Sequence, residues 1–103
     1  MYQTQQPTRE EVDSWPGRVV LEFGTDFCPV CQTAQRDIAA ALAEQPEIRH
    51  VKVEDGKGRP LGRSFQVRLW PNLVFLKDGE VIEQLARPPA QDISRAVNNL
   101  ANL

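Results

Sequence analysis

The stretch that decides the fold runs from residue 19 to residue 31 and reads VVLEFGTDFCPVC. Its first part, Val19 to Phe23, is an apolar run typical of a strand that is buried on both faces. Its end brings Cys28 and Cys31, the two cysteines of the chain, to the start of a helical pattern. A helix N-terminus offers unpaired amide donors and a positive dipole to a thiolate. The pattern is therefore typical of a reactive dithiol.

Secondary-structure signals extend from this junction to both ends of the chain. Thr8, followed by Glu11 three residues later, has the capping-box pattern of a helix start. The Asp78-Gly79 step between two apolar runs is a strong antiparallel hairpin signal. The predicted helices cover residues 8–15, 29–45, 61–66 and 89–103, and the predicted strands cover 19–23, 48–53, 72–76 and 81–85.

The order of these elements predicts the fold class. Strands that alternate with helices in the first half require a parallel pair with crossover helices, whereas the later hairpin adds antiparallel strands. We therefore expect an α/β protein with a central mixed β-sheet flanked by helices on both faces. The length of 103 residues, 41% of them hydrophobic, suits one domain spanning residues 1–103.

Charge and hydropathy argue against several classes of function. The net charge is -2, the sequence pI is about 5.3, and the twelve Lys and Arg residues are scattered, which disfavours a nucleic-acid partner or an anionic membrane surface. No run of about 18 apolar residues occurs. The N-terminus lacks the basic and apolar segments of a secretory signal. We therefore expect a cytoplasmic protein with no membrane or nucleic-acid partner. We also expect a monomer.

The CxxC spacing admits three interpretations. In the first, Cys28 at the helix N-cap is a thiolate that attacks a substrate disulfide, and Cys31, one turn further, resolves the mixed disulfide. In the second, the pair binds a metal, but a tetrahedral zinc site needs four ligands and only His50 and scattered carboxylates remain. In the third, the pair is catalytically silent. We favour the first interpretation, which calls for no metal and no cofactor.

The chain resembles the thioredoxin family over nearly its whole length. The residues that carry the resemblance are VVLEF at 19–23, CPVC at 28–31, WPNLVFL at 70–76 and KDGEV at 77–81. The resemblance implies a thioredoxin-like fold in which a cis proline, Pro71, packs beside the dithiol. It also implies a thiol-disulfide oxidoreductase in cell redox homeostasis, with disulfide-containing proteins as substrates and a reductase as electron donor.

The resemblance further implies roles for side chains around the dithiol. Glu22 matches a buried aspartate that relays a proton to the resolving cysteine, and Lys52 matches a lysine near that carboxylate, so we expect a Glu22–Lys52 pair. A carboxylate in an apolar strand is also expected to have a raised pKa. His50 is interpreted as a surface or hydrogen-bonded residue rather than a base. Beside Pro71, the backbone amide and carbonyl of Trp70 are expected to pair with an extended substrate.

Several positions depart from the family pattern. Phe27 replaces a tryptophan, Arg36 replaces a helix-kinking proline, and Arg87 replaces a glycine that lets a partner backbone approach. The Trp70 side chain either fills the core or offers an aromatic surface to substrates. Arg87 either selects acidic partners or is a solvated loop charge. The predicted substrate-binding residues are Phe27, Pro29, Val30, Trp70, Pro71 and Arg87.

Two alternatives to a general protein-disulfide reductase stay open. One is a specialised binding or accessory module that docks a single partner, and it is suggested by Phe27, Trp70 and Arg87. The other is a glutaredoxin-like protein that uses glutathione or binds a cluster. It is suggested by the proline that directly follows Cys28, since thioredoxins place glycine before proline between the two cysteines.

Overall fold

A four-stranded mixed sheet forms the centre of the computed structural model, which describes all residues from 1 to 103. The strands are β1 Arg18–Gly24, β2 Arg49–Glu54, β3 Asn72–Lys77 and β4 Glu80–Ala86. They lie in the order β2-β1-β3-β4, with β1 and β2 parallel and the other two pairs antiparallel. The predicted mixed sheet is confirmed.

Helices cover both faces of this sheet, as expected. They are α1 Arg9–Asp13, α2 Pro29–Ala43, α3 Pro60–Ser64 and α4 Ala90–Ala101. Successive side chains of a strand point to opposite faces. Leu21 of β1 accordingly packs with Val12 of α1 in one core cluster, whereas its neighbour Val20 packs with Ile38 of α2 and Ile93 of α4 in the other. The dithiol helix α2 and the closing helix α4 therefore share one face.

Local signals set the helix ends. The Thr8 hydroxyl accepts a hydrogen bond from the Glu11 amide at 3.1 Å, and the Glu11 carboxylate accepts one from the Thr8 amide at 3.2 Å, so the predicted capping box is present. Helix α2 begins at Pro29, whose missing amide has no intrahelical partner in a first turn. Cys28 is therefore its N-cap.

None of the helices has the length and apolarity needed to cross a bilayer.

The β3–β4 hairpin turns at Asp78 and Gly79, as predicted. Both residues have positive φ, 51° and 81°, which is the combination that a two-residue hairpin turn favours. The Asp78 amide donates to the Gly17 carbonyl at 2.8 Å, and Asp78 Oδ1 accepts from the Gly17 amide at 2.7 Å. These two hydrogen bonds fasten the turn to the loop that precedes β1.

The N-terminal segment adds a feature that the sequence did not predict. Gln3 forms an isolated parallel bridge with Val53. The Gln3 amide donates to the Lys52 carbonyl at 3.0 Å, and the Gln3 carbonyl accepts from the Glu54 amide at 2.9 Å. This bridge ties the segment to the edge of the sheet and leaves the adjacent Tyr2 only 5% exposed.

Candidate active site

Cys28 caps helix α2 with an extended backbone, φ -88° and ψ 113°. Its Sγ atom accepts a hydrogen bond from the Cys31 amide at 3.2 Å. Burial acts to raise the pKa of the Cys28 thiol. Hydrogen bonds from the Cys31 thiol and from the Cys31 and Val30 amides, together with the charge of Arg87, outweigh burial and lower that pKa. The site therefore favours the Cys28 thiolate.

Cys31 differs from Cys28 in exposure and in acidity. It is 0% exposed, whereas Cys28 is partly exposed. Burial, followed by the hydrogen bond that its thiol makes with Cys28, raises the pKa of Cys31 to about 11. A reachable thiol with a lowered pKa thus stands beside a buried thiol with a raised pKa. This arrangement suits attack by the first sulfur and later resolution by the second.

Glu22 lies in β1 and is 0% exposed. Its Oε2 atom accepts hydrogen bonds from the Tyr2 hydroxyl and, at 2.8 Å, from Gln35 Nε2, and its Oε1 atom lies 2.8 Å from His50 Nε2. Burial acts to raise the pKa of Glu22, but the hydrogen bonds from His50, Tyr2 and Gln35 outweigh it and lower the pKa. The expected raised pKa is wrong because the carboxylate has three partners.

Lys52 does not pair with Glu22, so this prediction is wrong. His50 and Lys52 both lie on the same face of the sheet as Glu22, since residues two apart along a strand point to the same side. The His50 ring contacts the carboxylate, and the Lys52 ammonium lies 4.7 Å from the centroid of the Tyr2 ring. His50 is hydrogen bonded, as interpreted from the sequence, and its partner is the one buried carboxylate.

We expect the free energy of unfolding to depend on pH because Glu22 ionises. The fold lowers the pKa of Glu22 from its ordinary value of 4.5. Ionisation therefore stabilises the fold above about pH 4.5, and this contribution is lost as the pH falls through the folded pKa. The advantage of the wild type over Glu22→Gln should therefore shrink on acidification.

Urea unfolding at a series of pH values measures this advantage. Glu47→Gln, which removes an exposed carboxylate, is the control and should follow the wild type at every pH. A gap between wild type and Glu22→Gln that stays constant on acidification contradicts the prediction.

The Trp70–Pro71 peptide bond is cis, as the resemblance implied. The Trp70 carbonyl accepts a hydrogen bond from Arg87 Nε at 2.7 Å, and the Pro71 carbonyl accepts one from the Arg87 amide at 2.8 Å. Arg87 has a φ of 52°, the left-handed region where the family glycine was expected. The Trp70 carbonyl, predicted to pair with a substrate strand, therefore already accepts one hydrogen bond, from Arg87.

The Trp70 indole is anchored rather than free. Its Nε1 atom donates to Asp55 Oδ2 at 2.9 Å, and the ring packs against the core cluster on the α1 and α3 side. These contacts favour the core-filling interpretation over a free aromatic surface. The apolar groups that are open to solvent next to the cysteines are Phe27, 87% exposed, and Val30, 38% exposed, with exposed Pro29 between them.

A basic surface cavity of about 660 Å³ borders Trp70 and was not predicted. Asp55 is the single acidic residue of its lining. The basic residues that line it are Lys57, Arg59, Arg63 and Arg68. Arg59 forms an ion pair with Glu54 at 2.5 Å. Arg87, which donates a hydrogen bond to the Trp70 carbonyl, adds one more positive charge next to Trp70.

Comparison with known proteins agrees with this geometry. The sequence profile of the thioredoxin family matches residues 2–99. The chain belongs to the thioredoxin family. It is 46% identical to thioredoxin 2 from Pseudomonas aeruginosa PAO1, whose structure in the reduced form matches with a TM-score of 0.89 over 98% of this chain and 94% of that one. The thioredoxin-like fold and the thiol-disulfide oxidoreductase activity predicted from the sequence are confirmed.

Plant thioredoxins are more distant relatives. Thioredoxin H5 of Oryza sativa subsp. japonica is 29% identical over 93 residues, which are 90% of this chain and 69% of that protein. Thioredoxin H-type of Picea mariana is 25% identical over 83 residues, which are 81% of this chain and 66% of that protein. The chain thus spans about two thirds of the length of these relatives.

The sequence did not identify two residues of this candidate active site, Tyr2 and Gln35. Gln35 had a weak signal, because it follows Cys31 by four residues and so lies on the same face of α2. Its Nε2 atom donates to the Cys31 carbonyl at 2.9 Å as well as to Glu22. Tyr2 had no local signal, since its position depends on the bridge between the N-terminal segment and β2.

Proposed function

We propose that this member of the thioredoxin family reduces disulfide bonds in other proteins, with Cys28 as the attacking cysteine and Cys31 as the resolving cysteine. The observation that carries the proposal is the contrast in exposure and acidity between the two thiols. A partly exposed sulfur with a lowered pKa reaches a protein disulfide as a thiolate. The buried sulfur acts only after the substrate is attached to its neighbour.

The reaction balances as two thiol-disulfide exchanges. The Cys28 thiolate attacks one sulfur of the substrate disulfide, a bond forms between Cys28 and that sulfur, and the other substrate sulfur leaves as a thiolate. Cys31 then loses its proton and attacks Cys28 Sγ, which releases the second substrate sulfur. The substrate has gained two electrons, and the Cys28–Cys31 disulfide is returned to the dithiol by a reductase that donates two electrons.

Two measurements test the direction of the reaction. We expect catalytic reduction of insulin disulfides, and an equilibrium potential of the Cys28–Cys31 pair, measured against a dithiothreitol series, that is more reducing than roughly -200 mV. An oxidising potential without insulin turnover overturns the proposal of a reductase. Turnover that occurs only with glutathionylated substrates supports the glutaredoxin-like alternative instead.

We also propose that the substrates are cytoplasmic proteins with acidic residues beside the disulfide. A reducing compartment keeps a dithiol ready for attack, and the surface charge around Trp70 favours acidic partners. Arg87 donates a hydrogen bond to the Trp70 carbonyl, and Trp70 also lines the basic cavity. Of the basic lining residues, Arg59 pairs with Glu54, which leaves Lys57, Arg63 and Arg68 against the acidic lining residue Asp55. Positive charge placed this way attracts and orients an acidic segment as it approaches the dithiol.

A charge-reversal pair of peptides tests the acidic preference. We expect a disulfide peptide flanked by aspartates to react faster with the reduced protein than the same peptide flanked by lysines, and Arg87→Gln should lower this preference by about fivefold. The preference should also fall as salt is added. Arg95→Gln, which removes an exposed arginine of α4, is the control. Equal rates for both peptides contradict the proposal.

Trapping with Cys31→Ser separates a general reductase from a dedicated module. The variant keeps the attacking sulfur and lacks the resolving one, so partners stay attached through Cys28. Many attached proteins support a general reductase, whereas one dominant partner supports the specialised module.

A further inference from the structure

The Tyr2 hydroxyl and the Cys31 sulfur share one small space above Gly24 of β1. A Cβ atom built on Gly24 would lie 2.6 Å from Cys31 Sγ and 2.7 Å from Tyr2 Oη. Both side chains therefore border the same point, and only a glycine at position 24 leaves room for them. The same hydroxyl donates a hydrogen bond to Glu22 Oε2. Tyr2 thus lies next to the resolving sulfur and is bonded directly to the buried carboxylate.

The position of Tyr2 matters for the deprotonation of Cys31, which the proposed reaction requires. Cys31 must lose a proton before it attacks Cys28, yet burial raises the pKa of its thiol to about 11. Cys31 and Glu22 are both 0% exposed and Tyr2 is 5% exposed, so bulk water has little access to the proton. Burial also raises the pKa of Tyr2, and the hydroxyl keeps its proton until a base takes it.

We propose that the Tyr2 hydroxyl carries the proton from Cys31 to Glu22 in the resolving step, an inference that rests on the proposed reductase function. As Cys31 Sγ attacks Cys28 Sγ, the thiol proton moves to Tyr2 Oη and the hydroxyl proton moves to Glu22 Oε2. Tyr2 ends neutral, Glu22 ends protonated, and the released substrate sulfur leaves as a thiolate. One proton moves in each transfer, and no other reactant is needed.

The other neighbours of the carboxylate have different roles. Gln35 Nε2 lies 3.2 Å from Tyr2 Oη and 2.8 Å from Glu22 Oε2, but an amide does not exchange protons at neutral pH and so positions the two oxygens. His50 contacts the opposite oxygen, Oε1, and its side chain is 26% exposed, so it gives the carboxylate a titratable neighbour that reaches solvent.

Two further charged groups adjoin Tyr2. The Lys52 ammonium lies over the ring, and Asp26 Oδ1 accepts the Tyr2 backbone amide at 3.0 Å. Glu22, His50 and the chain N-terminus are the other charged or titratable groups near Tyr2. All five groups can contribute to the pH dependence of the resolving step. Removing only the hydroxyl of Tyr2 leaves all of them in place.

Tyr2→Phe tests the relay, because it keeps the ring and deletes the proton-carrying oxygen. Reduced protein mixed with dithiobis-nitrobenzoate releases one coloured thiolate when Cys28 attacks and a second when Cys31 resolves. We expect the first phase to be unchanged and the second to slow by about tenfold or more at neutral pH. The second phase should also become steeply pH-dependent between about pH 6 and 8, because deprotonation then depends on hydroxide.

Further measurements make the outcome decisive. Thr33→Val removes a hydroxyl from the same helix as Cys31 and should leave both phases as in the wild type. In Glu22→Gln, adding Tyr2→Phe should slow the second phase no further, since both changes interrupt one route. In the wild type, the second phase should be about twofold slower in heavy water.

An unchanged second phase in Tyr2→Phe, equal slowing of both phases, or no isotope effect overturns the relay. The outcome differs from failure of the proposed function, in which the wild type itself releases only one coloured thiolate or none.

Discussion

Cys31→Ser is expected to lower the turnover of insulin disulfides by about 10³-fold or more and to leave the protein covalently attached to its substrate. Serine keeps the size of the buried side chain but its hydroxyl does not attack a disulfide. The mixed disulfide formed by Cys28 then has no intramolecular route to resolution. Non-reducing electrophoresis and intact-mass measurement detect the adduct, and the insulin assay gives the loss of turnover.

Cys28→Ser is the matched control for this experiment, since it makes the same atomic change at the other sulfur. It should also lose turnover, but without an adduct, because the remaining thiol is 0% exposed and has a pKa raised to about 11. Adducts of equal yield in the two variants would show that the sulfurs are interchangeable. That result, or wild-type turnover by Cys31→Ser, contradicts the assigned order of attack.

The elements of the fold follow from signals that are local in the sequence. The capping box of Thr8 and Glu11, the proline after Cys28 and the Asp78-Gly79 step each involve residues at most three apart. Such signals act on the backbone directly and are present before tertiary contacts form. For this reason the strands, the helices and the position of Cys28 at a helix N-cap could be predicted from the sequence.

The surroundings of Glu22 could not be predicted in the same way. His50 and Lys52 have the same parity in β2, so alternation places both beside the carboxylate and cannot choose between them. Tyr2, which comes from the N-terminal segment, contacts both groups: its hydroxyl donates to the carboxylate, and its ring lies 4.7 Å from the Lys52 ammonium. The hydrogen bond from Tyr2 to Glu22 joins residues 20 positions apart, and no local sequence pattern predicts it.

Arg87 shows the same limit for the backbone. The sequence indicated a family position where glycine is usual, and the arginine there suggested either selection of acidic partners or a solvated loop charge. The chain keeps the left-handed conformation, with a φ of 52°, and the guanidinium bonds the Trp70 carbonyl. A left-handed conformation is unfavourable for arginine, and at Arg87 it is stabilised by two hydrogen bonds, to the carbonyls of Trp70 and Pro71.

The second large effect concerns the hairpin turn, where Gly79→Ala is expected to lower the free energy of unfolding by about 3 kcal/mol. Gly79 has a φ of 81°, and a side chain in this region costs about 1 kcal/mol or more. A Cβ atom would also lie 1.9 Å from the carbonyl oxygen of Asp13, at the C-terminal end of α1. That oxygen belongs to the backbone and cannot rotate away, so the hairpin or the helix must shift.

Gly58→Ala separates the two causes, because Gly58 has nearly the same φ, 80°, and nothing within 4 Å of its Cβ position. Gly58→Ala should therefore lower the free energy of unfolding only by the cost of placing a side chain at positive φ, about 1 kcal/mol. Urea unfolding of both variants beside the wild type gives the two values. Equal losses in the free energy of unfolding would show that the backbone conformation alone causes the destabilisation and that contact with α1 does not contribute. A larger cost at Gly79 instead means that the hairpin and α1 are packed at backbone distance, so the turn needs glycine for space as well as for φ.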